Sequence, residues 1–307
     1  MLIFGIRKGL RAGFTVLLLL TFTFFVLRLT GDPAVALVGL EAPPEALEAF
    51  RRQWGLDQPL WMQYAIYLRE LLSGNFGLSF VGDRTAWDVV AERLPKTLSL
   101  MGVTAIVTLA LGVPLGILAA LRRDTWIDRL AIGISVAGLS LPNFVVGIVL
   151  ILLFGVGLML LPTTGSETVW HFILPVATMA TGDAAVFARF TRSAMLDVLN
   201  QPYMRTASAK GRERRGAVLW HALPNAAIPL VTVIGLYVGR IIVGAVITEN
   251  VFAWPGVGSL LVLSVETRDL AVVQTIVILV GLTMVITNLS IDLAYRWLDP
   301  RTAEGRA

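Results

Sequence analysis

Two charges lie where charge is costly. Asp183 and Arg240 each fall inside a long apolar stretch, and an ionisable side chain at mid-helix costs about 2.5–3.5 kcal/mol on an insertion scale. Such residues face a bundle interior or a water-filled path. The two could form a buried pair that compensates itself, or line a translocation path. A second cluster is Tyr203–Pro224, a basic stretch rich in small residues and set between apolar runs. Read as a helix, 203–212 places Ala207 and Gly211 on one face at i, i+4, where a second helix could approach closely. Arg205 and Arg212 lie seven apart on a neighbouring face. An ordinary solvated basic loop would have this composition; so would a surface on which a partner pushes.

Other chemistry is missing from the sequence. There is no P-loop, no Gly-x-Ser-x-Gly, no His-Glu-x-x-His and no Asp-rich loop. His171 and His221 fall at opposite ends of predicted spans, so they cannot share a metal and read as interfacial or packing residues. No cysteine is present, which removes disulfides, thiolate metal sites and cysteine nucleophiles. The expectation is a chain with no catalytic residues, no metal and no bound cofactor.

The elements that must carry these residues are apolar helices. The 307 residues are 56% hydrophobic and 15% charged, well below the roughly 25% charge of soluble chains. Leu98–Leu121, Leu130–Leu161 and Leu270–Ile291 run for 24, 32 and 22 residues without a charge, against the ~20 needed to cross a bilayer core. The predicted spans are 9–29, 98–121, 130–154, 172–192, 226–248 and 270–291. One helix over the 32-residue run would be ~48 Å long, so the span is ended near Phe154, with 155–171 as an outer loop. Pro142 and Asn143 fall in mid-span and are expected to kink it. Ala34-Val-Ala36 resembles a signal cleavage site, but the preceding apolar stretch is long for a signal core and Gly31-Asp-Pro33 reads as a turn after a retained helix.

The fold class is therefore an all-α polytopic membrane protein. It has six transmembrane helices and a small extracytoplasmic helical region after the first. Residues 1–29 hold the N-terminus and first helix, and 30–97 the extracytoplasmic region with short helices at Pro44–Trp54 and Pro59–Leu72. Residues 98–297 form the core of helices 2–6, containing the loop 193–225, and 298–307 the tail. Gly112, Gly116 and Gly133 suit close helix packing; Trp126, Trp170, Trp254 and Trp297 suit an interfacial belt. Segments 1–11, 121–130, 189–221 and 296–307 carry three, three, seven and three Lys/Arg, whereas 155–171 and 249–271 carry none and one. That bias puts both termini and the basic loop in the cytoplasm. It also accounts for the pI near 9.7 without a nucleic-acid partner.

The spacing of the basic loop resembles a known motif. Permease subunits of bacterial ATP-binding-cassette importers share Glu-Ala-Ala, three residues, Gly, nine residues, Ile, one residue, Leu-Pro. Arg205-Thr206-Ala207, Gly211, His221 and Leu223-Pro224 stand in that frame. Arg205 and His221 depart from its Glu and Ile in a way similar to the peptide-importer branch, whose Tyr-x-Arg-Thr-Ala-x-Ala-Lys-Gly pattern Tyr203–Gly211 follows. Gly31-Asp-Pro33, Gly55-Leu-Asp57 with Pro59, and Gly74-Asn-Phe-Gly77 with Ser79 resemble the outer region of the dipeptide/oligopeptide (peptide/nickel) permease family. So do Arg93-Leu-Pro95 with Thr97-Leu98, Leu139-Ser-Leu-Pro142, Phe252-Ala-Trp-Pro-Gly256 with Gly258, and Asp299-Pro-Arg301. Asp183 and Arg240 belong to no such motif.

The resemblance implies an importer half in the bacterial inner membrane. It would be embedded in membrane lipid and paired with a homologous second permease. Two ATP-binding-cassette ATPase subunits would hold the ATP and Mg, and an extracytoplasmic binding protein would deliver a peptide, glutathione or nickel chelate. Tyr203, Arg205, Thr206, Ala207, Ala209, Lys210, Gly211, Leu223 and Pro224 would couple this chain to an ATPase. A secondary transporter would need a coupling-ion site, and often an inverted repeat; neither is evident.

Overall fold

The structure, a computed structural model, describes residues 2–29, 34–35, 39, 42–53, 55–79, 84–210 and 213–298. Among them there is no β-strand; one isolated bridge joins Leu78 to Thr85. The helices are α1 (Leu2–Leu29), α2 (Pro44–Gln53), α3 (Leu60–Leu72), α4 (Ala86–Leu121), α5 (Trp126–Ser140), α6 (Asn143–Leu150), α7 (Trp170–Leu199), α8 (Pro202–Ala209), α9 (Arg214–Ala217), α10 (Leu223–Val251), α11 (Val257–Glu266) and α12 (Leu270–Leu298). Wider π-helical turns continue α6 over Ile151–Gly157 and join α9 to α10 over Val218–Ala222.

Within α1, α4, α7 and α12, four stretches are long and apolar enough to cross a membrane: Gly9–Val26, Ala86–Leu121, Trp170–Leu199 and Leu270–Ile291. A fifth qualifies only as a bent pair, Val218–Ala227 with Pro229–Gly239, turned by 43°. The expected third span is not one kinked helix. α5 stops at Ser140, Leu141 is extended (φ −100°, ψ 129°), and α6 starts after Pro142. Proline disfavours helical geometry in its predecessor, and at extended Leu141 the chain breaks rather than bends. The structure thus supports an all-helical membrane protein with a broken third segment.

The chain divides into two compact units, Met1–Pro95 with Gly256–Ile286, and Lys96–Pro255 with Thr287–Ala307. In the first, α11 is an element the sequence reading missed, having placed a loop there. Its Val257 and Leu260 pack with Ala86 and Val90 of α4 and with Val272 and Ile276 of α12. Ser79 Oγ donates to Asp269 Oδ2 at 2.5 Å, while Asp269 Oδ1 accepts from the Val272 amide, capping α12. The motif Gly74–Ser79 is thereby tied to the start of the last helix.

In the second unit, α4 and α7 touch backbone to backbone. A Cβ on Gly112 would lie 2.7 Å from Ala184 O, and one on Gly116 would collide with Ala188 O. Close packing at these two glycines is as the sequence suggests; a Cβ on Gly133 would meet nothing within 4 Å among the described residues.

Candidate functional site: the basic loop and the buried charges

The loop after α7 is rooted before it is basic. Met204 of α8 is buried in a cluster with Ala120 of α4, Ala194 and Met195 of α7, Ala217 and Val218, and Ala222 and Ala226 at the start of α10. Ala207 and Leu223 pack against the same cluster, half-buried. One helical face thus points inward, and the residues between those anchors are left outside. Tyr203, Arg205, Thr206, Lys210 and Pro224 are exposed. Thr206 Oγ1 donates to Pro202 O at 3.3 Å and the Lys210 amide donates to Thr206 O at 3.0 Å, which closes the short helix locally. Gly211 and the side chain of Ala209 lie outside the described residues, so the Ala207/Gly211 face has only its first member in view. His221 sits in the π-helical turn, its carbonyl accepting from Asn225 Nδ2 at 2.7 Å.

Beside this root is an ion pair that the sequence did not reveal. Arg192 of α7 grips Asp128 of α5 through both ends of the guanidinium, Nε to Oδ1 at 2.5 Å and Nη2 to Oδ2 at 2.7 Å. The Asp124 amide donates to the same carboxylate at 3.0 Å. These charge-assisted bonds, Arg192's foremost, hold the Asp128 carboxyl below its ordinary pKa against the opposing effect of burial. A groove of about 200 Å³ opens alongside, lined by Ala119, Ala131, Ile132, Ser135, Ala188 and Arg189, with Arg192 at its edge.

Asp183 is buried, 6% exposed, near the middle of α7. A Cβ on the neighbouring Gly182 would lie 3.2 Å from Asn143 Oδ1 and 3.3 Å from Gly138 O. The buried acid is therefore next in sequence to the point where α7 passes the broken helix. The side chain of Arg240, in α10, lies outside the described residues.

At the far end of α10 a second polar cluster appears. Glu249 is fully buried and accepts from Thr97 Oγ1 at 2.6 Å. Trp254 is also fully buried. Its amide donates to Glu249 O at 2.7 Å, its indole Nε1 to Lys96 O at 3.1 Å, and its ring meets Phe172 edge-on at 4.6 Å. This corrects the belt assignment. Trp126 and Trp170 are exposed as expected, but Trp254 is core, its indole N–H satisfied and its ring packed. The side chain of Trp297 lies outside the described residues. The sequence motifs around Thr97 and Trp254 are thus two halves of one contact. Glu249 was passed over because a charge at a span end reads as solvated.

His171 does local work, as the sequence suggested. Its Nε2 lies 3.0 Å from Glu167 Oε2 and Nδ1 accepts from the Thr168 amide at 3.1 Å. Among the described residues no cluster of His, Cys, Asp or Glu could hold a metal.

Broken and bent apolar helices with a rooted basic loop are features of the class of membrane permeases. Comparisons with known proteins are specific. Residues 112–304 match the binding-protein-dependent transport system inner membrane component, and residues 1–101 match the N-terminal family of such membrane components. The chain belongs to this family of permease subunits of ATP-binding-cassette importers. It is 44% identical over 276 residues to the glutathione transport system permease protein GsiC of Escherichia coli K12, covering 90% of each chain. The same figures hold for GsiC of Shigella dysenteriae serotype 1. Among solved structures it resembles the inward-facing MetNI methionine ABC transporter. The TM-score is 0.58 at 17% identity, over 69% of this chain and 96% of that one; at that identity the likeness concerns the fold.

Proposed function

We propose that this chain is one half of the translocation pathway of an importer for glutathione or similar short peptides. The match to a glutathione transport permease across 90% of both chains carries that reading. A homologous second permease supplies the other half. Two separate ATPase subunits hydrolyse ATP, and an extracytoplasmic binding protein delivers the substrate. Both termini and the basic loop lie in the cytoplasm, as the Lys/Arg bias favours.

In this proposal the basic loop is the coupling element. Met204 and Ala207 hold α8 to the permease, and Tyr203, Arg205, Thr206 and Lys210 are left outside to meet an ATPase groove, with Ala209 and Gly211 completing that docked stretch. Leu223 and Pro224 lead the push into α10. Asp183 lines or flanks the path, supported by its place beside the broken helix, where freed backbone groups are tolerated only against protein or water. Arg240 is its candidate partner; additive losses in the Asp183→Leu/Arg240→Leu double-mutant cycle would exclude coupling.

The test is steric. Thr206→Trp and Gly211→Leu are made in the complete importer, reconstituted with its binding protein. Both should insert normally and lose glutathione-stimulated ATP hydrolysis or ATPase association. Overpacking of a tight contact costs about 1–3 kcal/mol, and leucine is the better helix former of the two residues, so a loss would point to the contact. Wild-type transport by both variants would sink the coupling assignment. Transport of other peptides but not glutathione would leave coupling standing and change only the substrate.

A further inference from the structure

Helix α3 falls in the region expected to stand outside the membrane, yet it packs against a part of α1 that should be inside it. Tyr64 Oη lies 2.6 Å from Thr21 Oγ1, and Tyr67 Oη donates to Leu20 O at 3.4 Å. Phe24 of α1 meets both tyrosine rings, at 5.3 and 5.2 Å. The apolar run of α1 lasts from Ala12 to Leu27, where Arg28 ends it. Thr21 is six residues short of that end, about 9 Å inside at the helical rise of 1.5 Å per residue.

Another side of α3 carries an apolar stripe that is largely exposed among the described residues. Trp61, Ala65, Leu68 and Leu72 recur at helical spacing on one face. Trp61 is 67% exposed and Leu72 89% exposed, with Leu68 half-buried. Gln63 is turned away from the stripe, its amide donating to Leu56 O and Gln58 O. Glu70 lies opposite the stripe and is exposed. The apolar surface continues onto α1. Phe25 stacks on Tyr64 with ring centres 6.4 Å apart, and Phe22 and Phe25 are themselves exposed.

We propose that α3 is an interfacial helix that lies in the bilayer leaflet at the C-terminal end of α1, its Trp61–Leu68–Leu72 stripe against lipid. Its contact depth on α1 matches the about 5–10 Å to which interfacial helices bury their apolar face. A water-borne protein partner would have to reach below the headgroups to cover the same stripe. Tyrosine and tryptophan suit this level because one part of each ring system stays polar. The helix therefore anchors the outer region to lipid beside the first span. The proposal rests on α1 crossing the bilayer and not on the identity of the transported substrate.

The chain has no cysteine, so single reporters can be introduced directly. Spin labels at W61C, L68C, L72C and E70C are compared in the complete importer in phosphatidylethanolamine–phosphatidylglycerol vesicles. Oxygen should collide with labels at 61, 68 and 72 more often than the water-soluble Ni(II)–EDDA complex does, with the order reversed at 70. Labels at 61, 68 and 72 as open to Ni(II)–EDDA as that at 70 would overturn the proposal. So would labels open to water until binding protein is added and then closed to both reagents, which would make the stripe a protein docking face. Closure to both reagents from the start would mean that a neighbouring subunit covers it. Should a cysteine variant fail to assemble, brominated lipid decides. The wild-type complex should lose a larger share of its tryptophan fluorescence than the Trp61→Phe complex, and equal losses would overturn the assignment.

Discussion

The two ends of α10 are fastened differently. At Phe252 the helix finishes among buried polar groups, Glu249 with Thr97 and Trp254 with Lys96 O. At Leu223 it starts in an apolar cluster built mainly from alanines and methionines, and Thr206 and Asn225 beside it each bond back one helical turn. Buried hydrogen bonds are directional and costly to leave unmade. Apolar contacts are non-directional, and methionine refits easily to a changed surface. One end is therefore fixed in orientation by buried hydrogen bonds, while the described packing at the other is mainly apolar. That is the arrangement a coupled helix needs if force arrives through the loop.

The sharpest way to break the contrast is Trp254→Ala. Removing a fully buried ring should cost about 3–5 kcal/mol, read as a large fall in the unfolding temperature of the purified importer. Trp254→Phe should cost far less, about 0.5–1.5 kcal/mol for the lost hydrogen bond; equal losses would mean that packing is not what holds this end. Met204→Ala tests the opposite end. Its loss should sit at the low end of the about 2–5 kcal/mol for such truncations, because α8 can settle inward. Amide exchange should rise over 202–210 while the Trp254 end stays protected; protection lost at both ends would erase the distinction.

Smaller effects sharpen it. Thr97→Val leaves the Glu249 carboxylate short of a donor and should cost about 1–3 kcal/mol, whereas Thr97→Ser should be close to neutral. The smallest effect is acid dependence at the Asp128–Arg192 pair. The folded pKa of Asp128 is depressed, so its contribution is complete above the unfolded value of about 3.9. It fades as the pH falls through the folded pKa. The stability gap between wild type and Asp128→Asn should hold constant from pH 7 to about pH 5 and close only in stronger acid. A gap that already shrinks near neutrality would contradict the pairing.

What could be read in the sequence follows from which signals are local. α2 and α3 were legible because Pro44 and Pro59 start them and Ser73-Gly74 ends the second, with Gly74 at φ +83°. The long helices were legible from uncharged runs. The break at Leu141–Pro142 was half visible: a proline predicts trouble in a helix, but the surrounding 32 uncharged residues mask the difference between a bend and a stop. α11 was missed because ten residues are too few to register as a span. Trp254 was misplaced because position near a span end says nothing about which neighbours arrive to cover it. The Asp128–Arg192 pair, 64 residues apart, is a product of folding that spacing cannot encode. The basic loop was legible as a motif, whereas its root through Met204 was not.

The glycine contact between α4 and α7 has a mechanical consequence. Two rods that touch only through flexible side chains bend almost independently. Two rods held at backbone distance, as at Gly112 and Gly116 against Ala184 and Ala188, resist bending together and approach the stiffness of a single thicker beam. The last turns of α7, with Ala194 and Met195, form part of the same cluster that holds Met204. A sideways load applied there is then carried along the beam as a tilt instead of being absorbed as curvature near the point of loading.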